Sequence, residues 1–163
     1  RSRIMRAVKG KDTKPELAVR KVLFSLGYRY RLHRKDLPGK PDIVFLGRKK
    51  AIFVHGCFWH HHGCHFSALP KTRRTWWKKK LEGNRKRDIE VVSKLKDLGW
   101  RVLLIWECGF RKPKTDRMKA LDRIAELAES FLKSEKKMLQ VPRVTPEWKY
   151  NRSGKGRAHG KNK

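Results

Sequence analysis

Apolar residues recur with two periods along the chain, and each change of period marks an element. Val19, Val22, Leu23 and Leu26 fall at i, i+3, i+4 and i+7, the spacing of one buried helix face. Thr13-Lys14-Pro15-Glu16 ahead of them forms a capping box, and Gly27 stops the helix. Tyr28 to His33 alternates aromatic and basic residues, which predicts a half-buried strand. Pro38-Gly39 and Lys40-Pro41 then turn the chain. Asp42–Leu46 and Ala51–Val54 follow as two apolar strands, joined by the short hairpin connection Gly47–Lys50. The cysteine-histidine segment and the basic tryptophan segment after it are expected to be loop. A second helix is predicted from about Asn84, with Val91, Leu95 and Leu98 on one face and Gly99 at its end. Trp100 to Trp106 is apolar almost throughout, as a central buried strand is. Leu121, Ile124, Ala125, Ala128 and Leu132 give a third amphipathic helix.

The order helix, three strands, helix, strand, helix predicts an α/β fold, a mixed central sheet flanked by helices. Residues 1–12 read as a flexible basic arm. From Lys133 the chain turns rich in Pro, Gly, Lys and Arg and cannot support a core. The domain is therefore expected to span residues 1–132, with 133–163 a basic, disordered tail.

Charge decides the class of partner. Among 163 residues, 44 Lys and Arg face 15 Asp and Glu, a net charge of +29. Such an excess seeks polyanions, and phosphate neutralisation with counterion release is its usual outlet. A membrane surface is the competing partner, but the helices lack an aromatic and aliphatic face opposite a lysine face. No apolar run approaches the roughly 20 residues of a membrane-spanning helix. With Arg1 first and no apolar signal-like stretch, the sequence reads as a trimmed intracellular protein. Cys57, Cys64 and Cys108 cannot all pair within the chain, and in a reducing compartment they read better as metal ligands than as disulfides.

Residues 51 to 65, AIFVHGCFWHHHGCH, concentrate the chemistry. Cys57, His62, Cys64 and distant Cys108 can supply four ligands to a closed tetrahedral zinc site. The alternative is that Cys108 is a small buried hydrophobe. Asp42 opens one hairpin strand and Val54-His55 close the next, so they can lie side by side at one sheet end. A carboxylate there can hold Mg²⁺ with water and phosphate oxygens, or serve as a turn residue. His55, His60 and His61 remain as candidate general bases. Phe58-Trp59 and Trp76-Trp77 lie amid Lys and Arg, which suits stacking on bases or wedging between them; covering the core is the alternative.

These residues together resemble one family. PGKPDIV, FVHGCFWHHHGC, TxxxWWxxK, Asn84-x2-Arg87-Asp88 and LGWRVLLIWEC are similar, in order, to the very-short-patch repair (Vsr) DNA mismatch endonucleases. The resemblance covers residues 1–132. It implies a restriction-endonuclease-like core and Mg²⁺-dependent nicking of one strand at T:G mismatches left by deamination of 5-methylcytosine. By resemblance, Asp42 is the Mg²⁺ ligand, joined by the backbone carbonyl of Val54. His60 is the base, His55 assists, and Glu16 orients the attacking water. Cys57, His62, Cys64 and Cys108 are the structural Zn²⁺ ligands, and Phe58, Trp59 and Trp77 the wedge. Lys71, Arg73, Arg74 and Asn84 are further candidate DNA contacts. Gly63 departs from the family, which has a histidine there. The implied partner is mismatched double-stranded DNA, bound by a monomer in the bacterial cytoplasm at the nucleoid, alongside repair-pathway proteins. A nicking nuclease for other damaged or branched DNA, or a non-catalytic zinc-pinned DNA-binding module, would share many of these features.

Overall fold

Five strands form one mixed sheet with helices on both faces. The computed structural model describes residues 10–111 and 114–142, so most of the expected arm and residues 143–163 of the expected tail lie outside the described residues. In chain order the elements are α1 (Lys14–Ser25), β1 (Arg31–Leu32), β2 (Ile43–Phe45), β3 (Lys50–His55), α2 (Arg74–Asp97), β4 (Arg101–Trp106), α3 (Lys114–Lys133) and β5 (Met138–Val141). The strands lie side by side in chain order. The pairs β1–β2 and β2–β3 are antiparallel, whereas β3–β4 and β4–β5 are parallel and are bridged by α2 and α3.

Side-chain alternation divides the core. Ile52, Val54, Leu103 and Ile105 pack on one face against Val19 and Leu23 of α1 and Ile124, Ala128, Phe131 and Leu132 of α3. Ala51, Phe53, Val102, Leu104 and Trp106 pack on the other, against Val92 and Leu95 of α2. Strands buried on both faces read as continuous apolar runs, which is why β3 and β4 are evident in the sequence. The capping box of α1 forms as expected, with the Glu16 amide donating to Thr13 Oγ1 at 3.4 Å and the Thr13 amide donating to Glu16 Oε2 at 3.3 Å.

Three expectations change. The helix expected from Asn84 starts at Arg74, so both Trp76 and Trp77 are helical. Arg and Lys are good helix formers, and the stripe Trp77, Leu81, Asn84, Asp88, Val92 and Leu95 runs down one side from the first turn. The domain limit at 132 also moves. Met138–Val141 pairs in parallel with Val102–Ile105 and gives central β4 its second neighbour. That strand is only four residues long and follows a Lys-rich stretch, which hides it from composition. Lastly, the expected strand from Tyr28 to His33 narrows to Arg31–Leu32.

Candidate active site

The site sits at the carboxyl ends of β3 and β4, beside the amino end of antiparallel β2. In a sheet with helical crossovers this is where ligands gather. Asp42 immediately precedes β2, and its Oδ2 accepts from the Val54 amide at 2.7 Å. Within an extended strand the N–H and C=O of one residue face the same edge, so the Val54 carbonyl lies on the Asp42 side. The hairpin thus delivers the expected carboxylate and carbonyl together. Burial is the main cause that pushes the Asp42 carboxyl up to about 6, against the Val54 amide, with nearby Glu16 adding to the rise. A desolvated carboxylate flanked by a backbone carbonyl fits a hard divalent cation, whose remaining positions go to water and phosphate oxygens. The surrounding cleft of about 970 Å³ is lined by Glu16, His33, Asp42, His55, His60 and Asp88, among others.

Beyond β3 the chain makes one tight turn. The amides of His60, His61 and His62 donate to the carbonyls of Gly56, Phe58 and Cys57 at 3.3, 3.2 and 3.0 Å. The turn sends His60 back into the cleft and His62 down onto Trp106, where the rings stack 4.2 Å apart. His60 stacks on His55 with centroids 3.7 Å apart and an interplanar angle of 2°. Its Nδ1 lies 2.7 Å from Asp88 Oδ2. His55 is buried, and burial above all, with His60 and His62 beside it, holds its pKa well below the usual histidine value. A neutral His55 therefore supports the His60 ring rather than exchanging protons itself. His61 is half-buried and does not line the cleft.

The four expected zinc ligands converge. Strand register explains how: His55 pairs with Trp106, so Cys57 and Cys108 each lie two residues past the paired ends of β3 and β4. The Cys108 amide donates to Cys57 Sγ at 3.3 Å, and Cys108 Sγ lies 3.6 Å from His62 Nδ1. Ligand atoms of Cys57, His62, Cys64 and Cys108 all fall within 4.8 Å of one another. The hydrogen bond with Cys108, and burial after it, push the Cys57 thiol up to about 12. Crowded protonated thiols and a buried imidazole fit a metal that binds them as thiolates, and three Cys with one His is a structural zinc set.

Phe58, Trp59 and Trp77 form one aromatic cluster at the rim, with centroids 5.1, 5.2 and 6.1 Å apart. Trp76 is 52% exposed beside them. Lys71, Arg73 and Arg74 are exposed on the approach to α2. Asn84 has a different partner from the one expected: its Nδ2 donates to the Trp59 carbonyl at 2.9 Å, so it holds the aromatic turn in place. Glu16 is also fully engaged. Its Oε1 meets Arg20 and lies 3.1 Å from His33 Nε2, while Oε2 takes the Thr13 amide.

Asp88, His33 and Arg20 belong to the site although sequence reasoning assigned them no role. Asp88 carried one available signal, lying a helix turn beyond Asn84 on the inward face of α2. His33 and Arg20 carried none, because tertiary packing alone brings them to Glu16.

The family profile described as DNA mismatch endonuclease Vsr matches residues 1–66. The chain is 55% identical to the type II nicking enzyme V.XorIIP of Xanthomonas oryzae pv. oryzae, over 64% of this chain and 77% of that one. It is 38% identical to the type II nicking enzyme V.NmeAIP of Neisseria meningitidis, over 80% and 93%. To the DNA mismatch endonuclease Vsr of Escherichia coli it is 43% identical, over 68% and 71%. Among solved structures it is similar to the catalytic domain of the homing endonuclease I-Bth0305I, with TM-score 0.41 and 24% identity over 74% and 94%. Identity at this level across most of each relative joins a cleft already suited to phosphodiester chemistry, and on both counts the chain belongs to the Vsr family and is a DNA endonuclease.

Proposed function

We propose that this endonuclease nicks one strand of duplex DNA at T:G mismatches in a Mg²⁺-dependent reaction, with Zn²⁺ as a structural ion. The observation that carries the reading is the single cleft into which Asp42 with the Val54 carbonyl, and His60 with Asp88, both face. Asp42 and the Val54 carbonyl would hold Mg²⁺, which when bound supplies Lewis-acid stabilisation of charge on the phosphoryl and leaving oxygens. Asp88 accepts from His60 Nδ1–H, which fixes the tautomer that leaves Nε2 as a proton acceptor. His60 Nε2 takes a proton from the attacking water, and the His55 ring holds its orientation from behind. Cys57, His62, Cys64 and Cys108 would pin the turn to the end of β4, keeping His60 and the aromatic cluster on one rigid support.

Phe58, Trp59 and Trp77 offer a wedge at the cleft rim, and a T:G wobble pair is unstacked at less cost than a matched pair. Lys71, Arg73 and Arg74 contact the backbone without reading sequence. The test is nicking of a T:G duplex against the T:A duplex of the same sequence, with Mg²⁺ and then without. Equal cleavage of both would remove mismatch recognition, and metal-independent cleavage would remove the Mg²⁺ role. The residues beyond 142 are proposed as a basic segment that adds phosphate contacts.

A further inference from the structure

A second cluster of ligand-type side chains lies beside Asp42, and it already contains a cation. Asp12, Glu16 and His33 bring oxygen and nitrogen atoms within 4.8 Å of one another. The guanidinium of Arg20 sits among them. Its Nη1 donates to Asp12 Oδ1 at 2.7 Å, its Nη2 donates to Glu16 Oε1, and Nη2 lies 2.6 Å from His33 Nε2. Arg20 is 8% exposed and Glu16 2%, so the pair is desolvated. A buried carboxylate of this kind persists only with a partner, and loss of either member leaves an uncompensated charge.

We propose that Arg20 is a positioning residue that fills the Asp12–Glu16 pocket as a fixed cation, leaving one divalent-cation site in the cleft, at Asp42. The inference rests on the nuclease reading above and names how many ions its centre takes. Two-metal phosphoryl-transfer centres use paired carboxylates to hold cations about 3.5–4 Å apart. Here the second carboxylate group is committed to a guanidinium, which stays protonated at any working pH and bridges two carboxylates with its fork of donors. A divalent ion entering the pocket would have to expel that buried guanidinium or lie against it, and like charge at contact distance opposes this. His33 links the two parts of the cleft, its Nε2 3.1 Å from Glu16 Oε1 and its Nδ1 3.9 Å from Asp42 Oδ1. Arg20 thereby fixes Glu16 and His33 beside Asp42 without touching the reacting atoms.

The deciding experiment counts Mn²⁺ bound per chain by electron paramagnetic resonance on the zinc-loaded protein. The Asp12 side chain is 48% exposed, so Asp12→Asn is compatible with folding. Asp12→Asn is expected to leave the wild-type count unchanged, whereas Asp42→Asn lowers it by one ion. Arg20→Ala is expected to gain one ion, and adding Asp12→Asn to it removes that gain. Arg20→Lys, which keeps the charge, gains none. The Mg²⁺ dependence of nicking is expected to be non-cooperative in the wild type. A wild-type count that falls by one in Asp12→Asn overturns the proposal, because the cluster then holds an ion despite Arg20. So does a folded Arg20→Ala that gains no ion. Should Arg20→Ala not fold, Asp12→Asn in the wild-type background still decides. A count unchanged in Asp42→Asn strikes instead at the metal assignment of Asp42, so the two failures are told apart.

Discussion

His60 Nδ1 and Asp88 Oδ2 lie 2.7 Å apart, and the His60 ring stacks on His55 at 3.7 Å. The imidazole is held by an acceptor at one edge and a neutral ring against its face. Asp88→Asn keeps the shape but can present a donor to Nδ1, favouring the tautomer that lacks an acceptor at Nε2. General-base catalysis contributes about 10²–10⁴-fold. Asp88→Asn should lose nicking by about that factor while duplex binding and melting temperature hold. Near wild-type turnover would show that His60 does not act as the base through this tautomer.

Asp42 yields a prediction with a sign. Without bound divalent cation its carboxyl is raised from 3.8 to about 6, chiefly by burial. A raised acid pKa means that the folded state holds the proton better. The contribution to stability is therefore full below the unfolded value and is lost as pH rises through the folded one. A shift of this size corresponds to about 3 kcal/mol. In buffer free of added divalent cations, Asp42→Asn should melt above wild type at about pH 8, and the difference should close towards about pH 4. Mg²⁺ should then raise the wild-type melting temperature and leave the variant unchanged. A variant less stable than wild type at the higher pH would count against a strained carboxylate awaiting its ion.

Cys108 tests the zinc assignment. It reaches Cys57 and His62 across the ends of two strands, so a shared ion staples the turn to β4. Cys108→Ser should lose the ion, measured by elemental analysis, and a cooperative part of the folding free energy with it. Zinc binding in structural sites is worth about 10–16 kcal/mol gross at neutral pH. Full zinc content at an unchanged melting temperature would leave Cys108 as a packed thiol.

Gly83 lies inside α2, and a Cβ added there meets nothing within 4 Å. Gly is worse than Ala in a helix interior by about 0.5–1 kcal/mol. Gly83→Ala should therefore raise the melting temperature by about 2–4 °C, as scanning calorimetry would register. A fall would mean that α2 does not run unbroken through this position.

Legibility in the sequence followed chemical type and locality. Asp42, His60 and the cysteines stand in short segments whose residue types are unusual together, and β3 and β4 are apolar runs that only burial on both faces explains. The capping box at Thr13 and Glu16 is local by construction. Asp88 was harder to see because a carboxylate in a basic helix has many uses until His60 arrives 28 residues away in sequence. Arg20 and His33 lie on separate elements, and one side-chain network joins them. Strand β5 takes its order from pairing with β4 rather than from its own four residues. Its composition therefore gave no warning.

The aromatic cluster bears on how a mismatch would be found. Phe58, Trp59 and Trp77 lie edge to face or tilted within 6.1 Å, and Asn84 anchors the Trp59 backbone from α2. The wedge is thus carried on a helix and a metal-pinned turn, so its insertion costs little loop ordering. Unstacking a base step costs a few kcal/mol, and a good bidentate base contact discriminates by about 1–3 kcal/mol. Discrimination through deformability is therefore as large as direct readout. Removing Trp59 should cost more on T:G than on T:A, because only the weakly stacked pair lets the wild-type wedge enter fully. Trp59→Ala is expected to narrow the ratio of the two nicking rates by about tenfold, corresponding to roughly 1.4 kcal/mol. Trp77 packs against both partners, so Trp77→Ala should narrow the ratio and lower the melting temperature as well. Trp76, exposed beside them, should change neither by much. Rates on both duplexes at one salt concentration settle it: an equal fall on each in Trp59→Ala would make the tryptophan a source of affinity or folding, and recognition would have to come from base-edge contacts.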